Sequence, residues 1–185
     1  MPFRLFYRGP LKANGSKDDK HNLRMALHPQ LAKLWTEEPL AHNQGFLTEQ
    51  SDPKKIDLLY SAGSHTFICL VSERIKTYAE LDILFLRPQP PGAIVSSGGD
   101  IDNRLKTLFD GLRRPLDSSE LPTGSATHTI PSPCHCLLSD DALISRLSVT
   151  TDNLLDAKNK DEVILIITTT VKKVGVTYRN ISYIE

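Results

Sequence analysis

The stretch that most constrains the fold is Glu162–Val171, the most apolar run in the chain. It is rich in isoleucine, valine and threonine, whose branched side chains pack well on a pleated surface and favour strands. A polar turn, Asp152–Asp161, separates it from a second β-rich segment, Leu143–Thr151. We therefore expect a sheet in which Glu162–Val171 is a central strand.

Four further segments have the character of strands. Alternation in Phe3–Arg8 predicts an opening strand. Phe67–Val71 and Leu81–Arg87 are short apolar runs that we expect to be neighbours in the sheet. Val174–Tyr183 alternates again and is the expected final strand.

Two segments have helical periodicity. His21–Trp35 carries leucines at helical spacing, with Pro29 expected to break or kink the helix. After Asp102, apolar residues recur at i, i+3, i+4 and i+7, which is typical of an amphipathic helix. The fold class that follows is α+β, a mixed sheet of about five or six strands with both helices packed on it. We expect residues 1–185 to form one domain, with an irregular insertion at about 113–136.

Acidic residues crowd the start of the second helix. Asp100 follows Gly98-Gly99, and the helical phase places four polar side chains on the face opposite the apolar one. Such a cluster is costly unless water or a divalent cation satisfies it. The alternative is a helix cap with a surface ion pair, which needs no metal. The four polar residues are Asp102, Asn103, Lys106 and Asp110.

A second acidic pair, Asp140-Asp141, lies next to an apolar run later in the chain. Together, Asp100-x-Asp102-Asn103-x-x-Lys106-x-x-x-Asp110-Gly111-Leu112 and Asp140-Asp141-x-x-Ile144 resemble the RusA family of Holliday junction resolvases. The resemblance covers about a quarter of the chain. It implies a catalytic site of Asp100, Asp102, Lys106 and Asp141, with Asp140 as a further metal ligand and Asn103 and Asp110 as supporting residues.

The function that this resemblance implies is hydrolysis of phosphodiester bonds in branched DNA, most of all Holliday junctions, by a homodimer. The carboxylates would hold Mg²⁺, with Mn²⁺ as a substitute, because hard cations prefer oxygen ligands. The metal would orient a water for in-line attack. Lys106 would position that water or offset charge in the transition state.

Charge is unevenly distributed, although Lys and Arg together equal Asp and Glu, at 22 each. Residues 1–35 hold seven basic side chains against two acidic ones, and the segment Val163–Ile184 adds three basic side chains and no acid. Two basic segments flanking an acidic centre suit a protein that grips phosphates, although ordinary charge scatter on a solvated surface remains an equal alternative. Three cysteines without a disulfide pattern, and no span-length apolar run, favour a cytoplasmic protein without membrane contact.

Two other classes of function stay open. One is a module of the same fold that binds branched DNA or a protein, with weak or no catalysis. The other is a metal-dependent nuclease that acts on other DNA, since the insertion at 113–136 departs from the family pattern and bears on substrate preference.

Overall fold

A computed structural model describes residues 1–52, 55–89, 101–122, 130–177, 180, 181 and 183 of the chain. These residues contain two α-helices, α1 (Lys17–Leu34) and α2 (Ile101–Leu112). The same residues form seven strands, which are β1 (Pro2–Pro10), β2 (Leu59–Ala62), β3 (His65–Val71), β4 (Thr77–Arg87), β5 (Cys134–Leu138), β6 (Ile144–Asn153) and β7 (Glu162–Lys173). The α+β class predicted from the sequence is confirmed.

The larger sheet has four strands in the order β1-β7-β4-β6. As predicted, the apolar run forms an interior strand, since β7 pairs antiparallel with β1 and with β4. β6 pairs parallel with β4. The odd-numbered apolar residues of β4 and β7 are buried in one core, so this face of the sheet is the inner one. Even-numbered residues are mostly half-buried on the outer face.

The smaller sheet has three strands in the order β2-β3-β5. The expectation of one sheet of five or six strands is therefore wrong, because the described strands divide into two sheets. Phe67–Val71 and Leu81–Arg87 were expected to be neighbours, but β3 pairs with β2 and β5 instead of with β4. β5 begins within the segment that was expected to be irregular, 113–136, and extends two residues beyond it.

Helix α1 begins earlier than predicted because Ser16 caps it. The Ser16 hydroxyl accepts a hydrogen bond from Asp19 N, and the Asp19 carboxylate accepts one from Ser16 N, which forms a capping box. Pro29 does not end the helix, which continues to Leu34. Its leucines pack in the main core with Trp35, which is 3 % exposed.

Helix α2 has the amphipathic form predicted for it. Leu108 and Leu112 are fully buried in the main core, and Leu105 and Phe109 pack against it from half-buried positions. The expected last strand is not seen, since the described residues after Lys173 lie in bends and turns or in irregular backbone. In the part of the chain that the structure describes, no helix has the length and apolarity needed to span a bilayer.

Candidate nucleic-acid interface and metal site

Helix α2 presents the predicted polar face to the surface. Asp102 and Lys106 are exposed, and Asn103 and Asp110 are half-buried. The described part of α2 begins at Ile101, and Asp102 lies in its first turn. The Asp102 Oδ1 accepts a hydrogen bond from Asn103 N at 2.8 Å, so this carboxylate satisfies a backbone donor near the start of the helix.

Asp110 has a structural role on the same face. Lys20 Nζ lies 2.8 Å from its Oδ2, and Arg113 Nη2 lies 2.9 Å from its Oδ1. The Arg113 guanidinium also makes a bidentate contact with the Glu120 carboxylate, with N–O distances of 2.8 and 3.1 Å. This contact holds the pKa of Glu120 below its ordinary value. Asp110 is thus held between two cations and ties α1 to α2.

A polar cleft runs between α1 and α2 on both sides of the Lys20–Asp110 ion pair. The Gly15 amide donates to Thr107 Oγ1 at 2.9 Å, which fixes the loop before α1 against α2. Cations outnumber carboxylates in the cleft, so its field attracts anions. We call it the α1–α2 cleft; its residues are Asn14, Gly15, Lys17, Lys20, Arg24, Asn103, Lys106, Thr107, Asp110, Arg113, Ser119 and Glu120.

The second acidic pair lies in a 3₁₀ turn, Asp141–Leu143, which contacts both α2 and β4. The turn follows Leu138, whose carbonyl accepts a hydrogen bond from Arg114 N at 2.9 Å just beyond the C-terminal end of α2, whereas Asp102 lies in the first turn of that helix. Asp140 caps this turn, because its carboxylate accepts a hydrogen bond from Ala142 N at 2.8 Å. Asp141 is exposed in the turn itself.

The structure describes some, but not all, of the residues proposed from the sequence as metal ligands. Asp100 lies outside the described residues, so convergence of Asp100, Asp102 and Asp141 stays a prediction. Within the described ranges, no three histidine, cysteine, aspartate or glutamate side chains lie close enough together to hold a metal ion. Mg²⁺ is commonly held by one or two carboxylates with water and substrate phosphate, so the hard oxygens of Asp102 and Asp141 fit its chemistry.

The basic residues of α1 are the part of the site that the sequence motif missed. Lys17, Lys20 and Arg24 recur at i, i+3 and i+7, so they lie on one side of the helix. Lys172, from the basic segment near the end of the chain, does not join them. Lys172 lies on the outer face of the sheet, where its Nζ contacts Glu80 at 2.6 Å, whereas α2 packs on the inner face.

Comparison of the chain with protein-family models, with curated proteins and with solved structures finds no match.

Proposed function

We propose that this protein is a Mg²⁺-dependent endonuclease that cleaves branched DNA, with the Holliday junction as its main substrate. The observation that carries the proposal is the exposed pair Asp102 and Lys106 on one face of α2, of which Lys106 lines the α1–α2 cleft. An acidic side chain open to solvent beside a net-positive cleft suits a site that takes up a metal ion and a phosphodiester together.

The metal ligands of the proposal are Asp100, Asp102 and Asp141, with Asp140 close by as the cap of the same turn. When bound, Mg²⁺ neutralises charge on the phosphate and lowers the pKa of a coordinated water. Asp102 supplies an accessible carboxylate on the first turn of α2. Asp141 would supply another from the 3₁₀ turn that follows β5.

The other residues of the cleft hold the substrate. Lys106 lies one helical turn after Asp102 on the same exposed face, so its ammonium group meets a phosphate bound beside Asp102. Its positive charge offsets the charge that develops on the phosphate oxygens in the transition state. Lys17 and Lys20 contact the neighbouring backbone phosphates, which supplies affinity without sequence readout.

A second candidate is a module of the same fold that binds branched DNA or a protein with weak or no catalysis. The capping bond of Asp140, which commits one carboxylate oxygen to the backbone, favours it. A nuclease with other DNA substrates is the third possibility, as the sequence of the 113–136 segment suggested.

The test is incubation of the protein with labelled four-way junction, flap and linear duplex DNA, with Mg²⁺, with Mn²⁺ or with EDTA. The proposal expects metal-dependent cleavage of the junction and little cleavage of the duplex. Equal cleavage of all three substrates favours the broader nuclease. A gel shift on the junction without cleavage in any metal favours the binding module.

Two nicks in a four-way junction require two sites, so the proposed protein acts as a homodimer. The two copies would place one α1–α2 cleft on each of two strands.

A further inference from the structure

The two edges of the four-stranded sheet are treated differently. At the β1 edge, the Gln30 carboxamide accepts from Phe6 N at 2.9 Å and donates to Phe6 O at 2.8 Å. Prolines stand at both ends of β1. A side chain that satisfies backbone groups, and proline itself, are two ways in which proteins protect an edge from pairing. The β1 edge is therefore closed.

The β6 edge has no such protection in the described part of the chain. β6 is ten residues long, contains neither proline nor lysine, and has β4 as its one described neighbour. After a register shift at its start, its pairing with β4 is regular from Arg146 to Asn153. A long, regular edge strand is a template for another strand.

The sequence of β6 is complementary to itself in one antiparallel register. With Val149 opposite Val149 of a second copy, Arg146 of each copy stands opposite Asp152 of the other. Both residues lie on the outer face of the sheet, since Glu80 and Leu86 of β4 are their register partners. The Arg146 side chain is 63 % exposed and its contact with Glu80 is long, at 3.8 Å, so it is available for a closer partner.

The inner face of the same register is apolar. Leu147, which is 42 % exposed, stands opposite Thr151, and the two Val149 side chains meet at the centre. Pairing would thus cover an exposed leucine and extend the main core, which Val149 already contacts, across the interface. Shifting the register by one residue loses the Arg146–Asp152 pairs.

We infer that β6 is the contact surface for a second copy of this chain, with the two β6 strands antiparallel and Val149 on the twofold axis. The two sheets then join as one sheet of eight strands. A twofold axis that relates two antiparallel neighbouring strands of one sheet is perpendicular to the plane of that sheet. The inner faces of the two copies therefore lie on the same side of the joined sheet. Both α2 helices and both α1–α2 clefts therefore face the same direction. The inference rests on the homodimer of the proposed function and names its surface.

The test measures mass by light scattering, with no DNA and no cleavage, so its result is separate from nuclease activity. Arg146→Asp places an aspartate opposite Asp152 of the other copy at both pairs of the dimer. Asp152→Arg places an arginine opposite Arg146 in the same way. We expect each variant to raise the dimer dissociation constant roughly 10- to 100-fold, since opposed like charges are strongly unfavourable. The double variant Arg146→Asp/Asp152→Arg restores opposite charges and should restore the dimer.

Arg4→Asp is the matched control, because Arg4 is an exposed arginine on the closed β1 edge. It should leave the dimer intact. Val149→Cys adds a positional readout, since the two thiols would meet at the axis and form an interchain disulfide on mild oxidation. A monomer at all concentrations overturns the inference. A dimer that ignores both single reversals, and that forms no interchain disulfide in the Val149→Cys variant, overturns it too, because its interface lies elsewhere.

Discussion

Gly111 of α2 lies directly against Leu23 of α1, so that a β-carbon added at Gly111 would stand 2.4 Å from Leu23 Cδ2. This close approach lets the two helices form the cleft, and it accounts for glycine at position 111 of this chain. We expect Gly111→Ala to lower the free energy of unfolding by about 1–2 kcal/mol, because overpacking outweighs the gain in helix propensity. Denaturant unfolding followed by circular dichroism measures this.

Gly45 provides the control for this prediction, because nothing lies within 4 Å of a β-carbon built there. Gly45→Ala should leave the unfolding midpoint nearly unchanged. Equal stability of Gly111→Ala and wild type would show that Leu23 gives way without cost and that the two helices are loosely packed.

Asp102→Asn separates chemistry from binding. If Asp102 is a metal ligand, we expect cleavage of a junction to fall about 100- to 1,000-fold, because a metal ion supplies several kcal/mol of transition-state stabilisation. Binding should persist or tighten, since removal of an anion lowers repulsion with phosphate. Parallel cleavage and gel-shift assays at one salt concentration measure both effects.

Asp82→Asn is the matched control, because Asp82 is an exposed aspartate on β4, on the outer face of the sheet and away from α2. It should cleave like wild type. Undiminished cleavage by Asp102→Asn would falsify the assignment of Asp102. Lys106→Ala should slow cleavage and also weaken binding, since it removes a cation from the cleft.

Lys17→Ala tests the cleft as a phosphate-binding surface. We expect weaker binding of every DNA structure and a salt dependence whose slope falls by about one, because one phosphate contact is lost. Lys33→Ala is the comparison, since Lys33 lies in the last turn of the same helix and is 70 % exposed beside Glu37. Affinity measured at low and at high salt should separate the two variants; identical slopes would place the DNA elsewhere.

A pair of histidines makes stability depend on pH. His135 N donates to His28 Nδ1 at 2.9 Å and the two rings lie 5.4 Å apart. Burial, and then the neighbouring His28, lower the pKa of His135 from 6.5 to about 4. Between pH 6.5 and about 4, the unfolded chain binds a proton at His135 that the folded chain does not bind. The stabilisation is therefore complete above pH 6.5 and is lost as the pH falls toward 4.

We expect the urea midpoint to fall between about pH 7 and about pH 5 in wild type and to fall less in His135→Gln. The backbone bond to His28 survives this substitution, so the comparison reports the titration. His42→Gln, at a side chain that is 84 % exposed, should keep the wild-type slope. An unchanged slope in His135→Gln would assign the acid sensitivity to other groups.

The strands and helices were more predictable from the sequence than their arrangement. Ile164, Ile166 and their neighbours identified β7 as a central strand because branched residues are common there. Nothing in Phe67–Val71 shows that its partner is β5, since strand pairing depends on contacts far along the chain. The start of α1 was missed although Ser16 and Asp19 have capping-box spacing, because that segment is otherwise polar and loop-like.

In the candidate site, too, the character of single elements was predictable from the sequence and their arrangement was not. Helical phase was enough to place Asp102 and Lys106 on the exposed face of α2. It did not distinguish Asp140, which caps a turn, from Asp141, which is exposed, because adjacent aspartates have the same chemistry in a sequence. It also did not bring Lys17 and Lys20 beside α2, since that contact comes from the packing of Leu23 against Gly111.

The position of β7 between β1 and β4 has a consequence for synthesis on the ribosome. The Met1 amino group contacts Val171 O across 170 residues of chain, and β4 has the same strand as its antiparallel neighbour. Until β7 has emerged, β1 and β4 each lack the strand that joins them. A nascent chain therefore holds β1 without a neighbouring strand, and β4 with at most β6, until β7 has emerged. A chain released before Glu162 retains these unpaired strand edges as sites of aggregation.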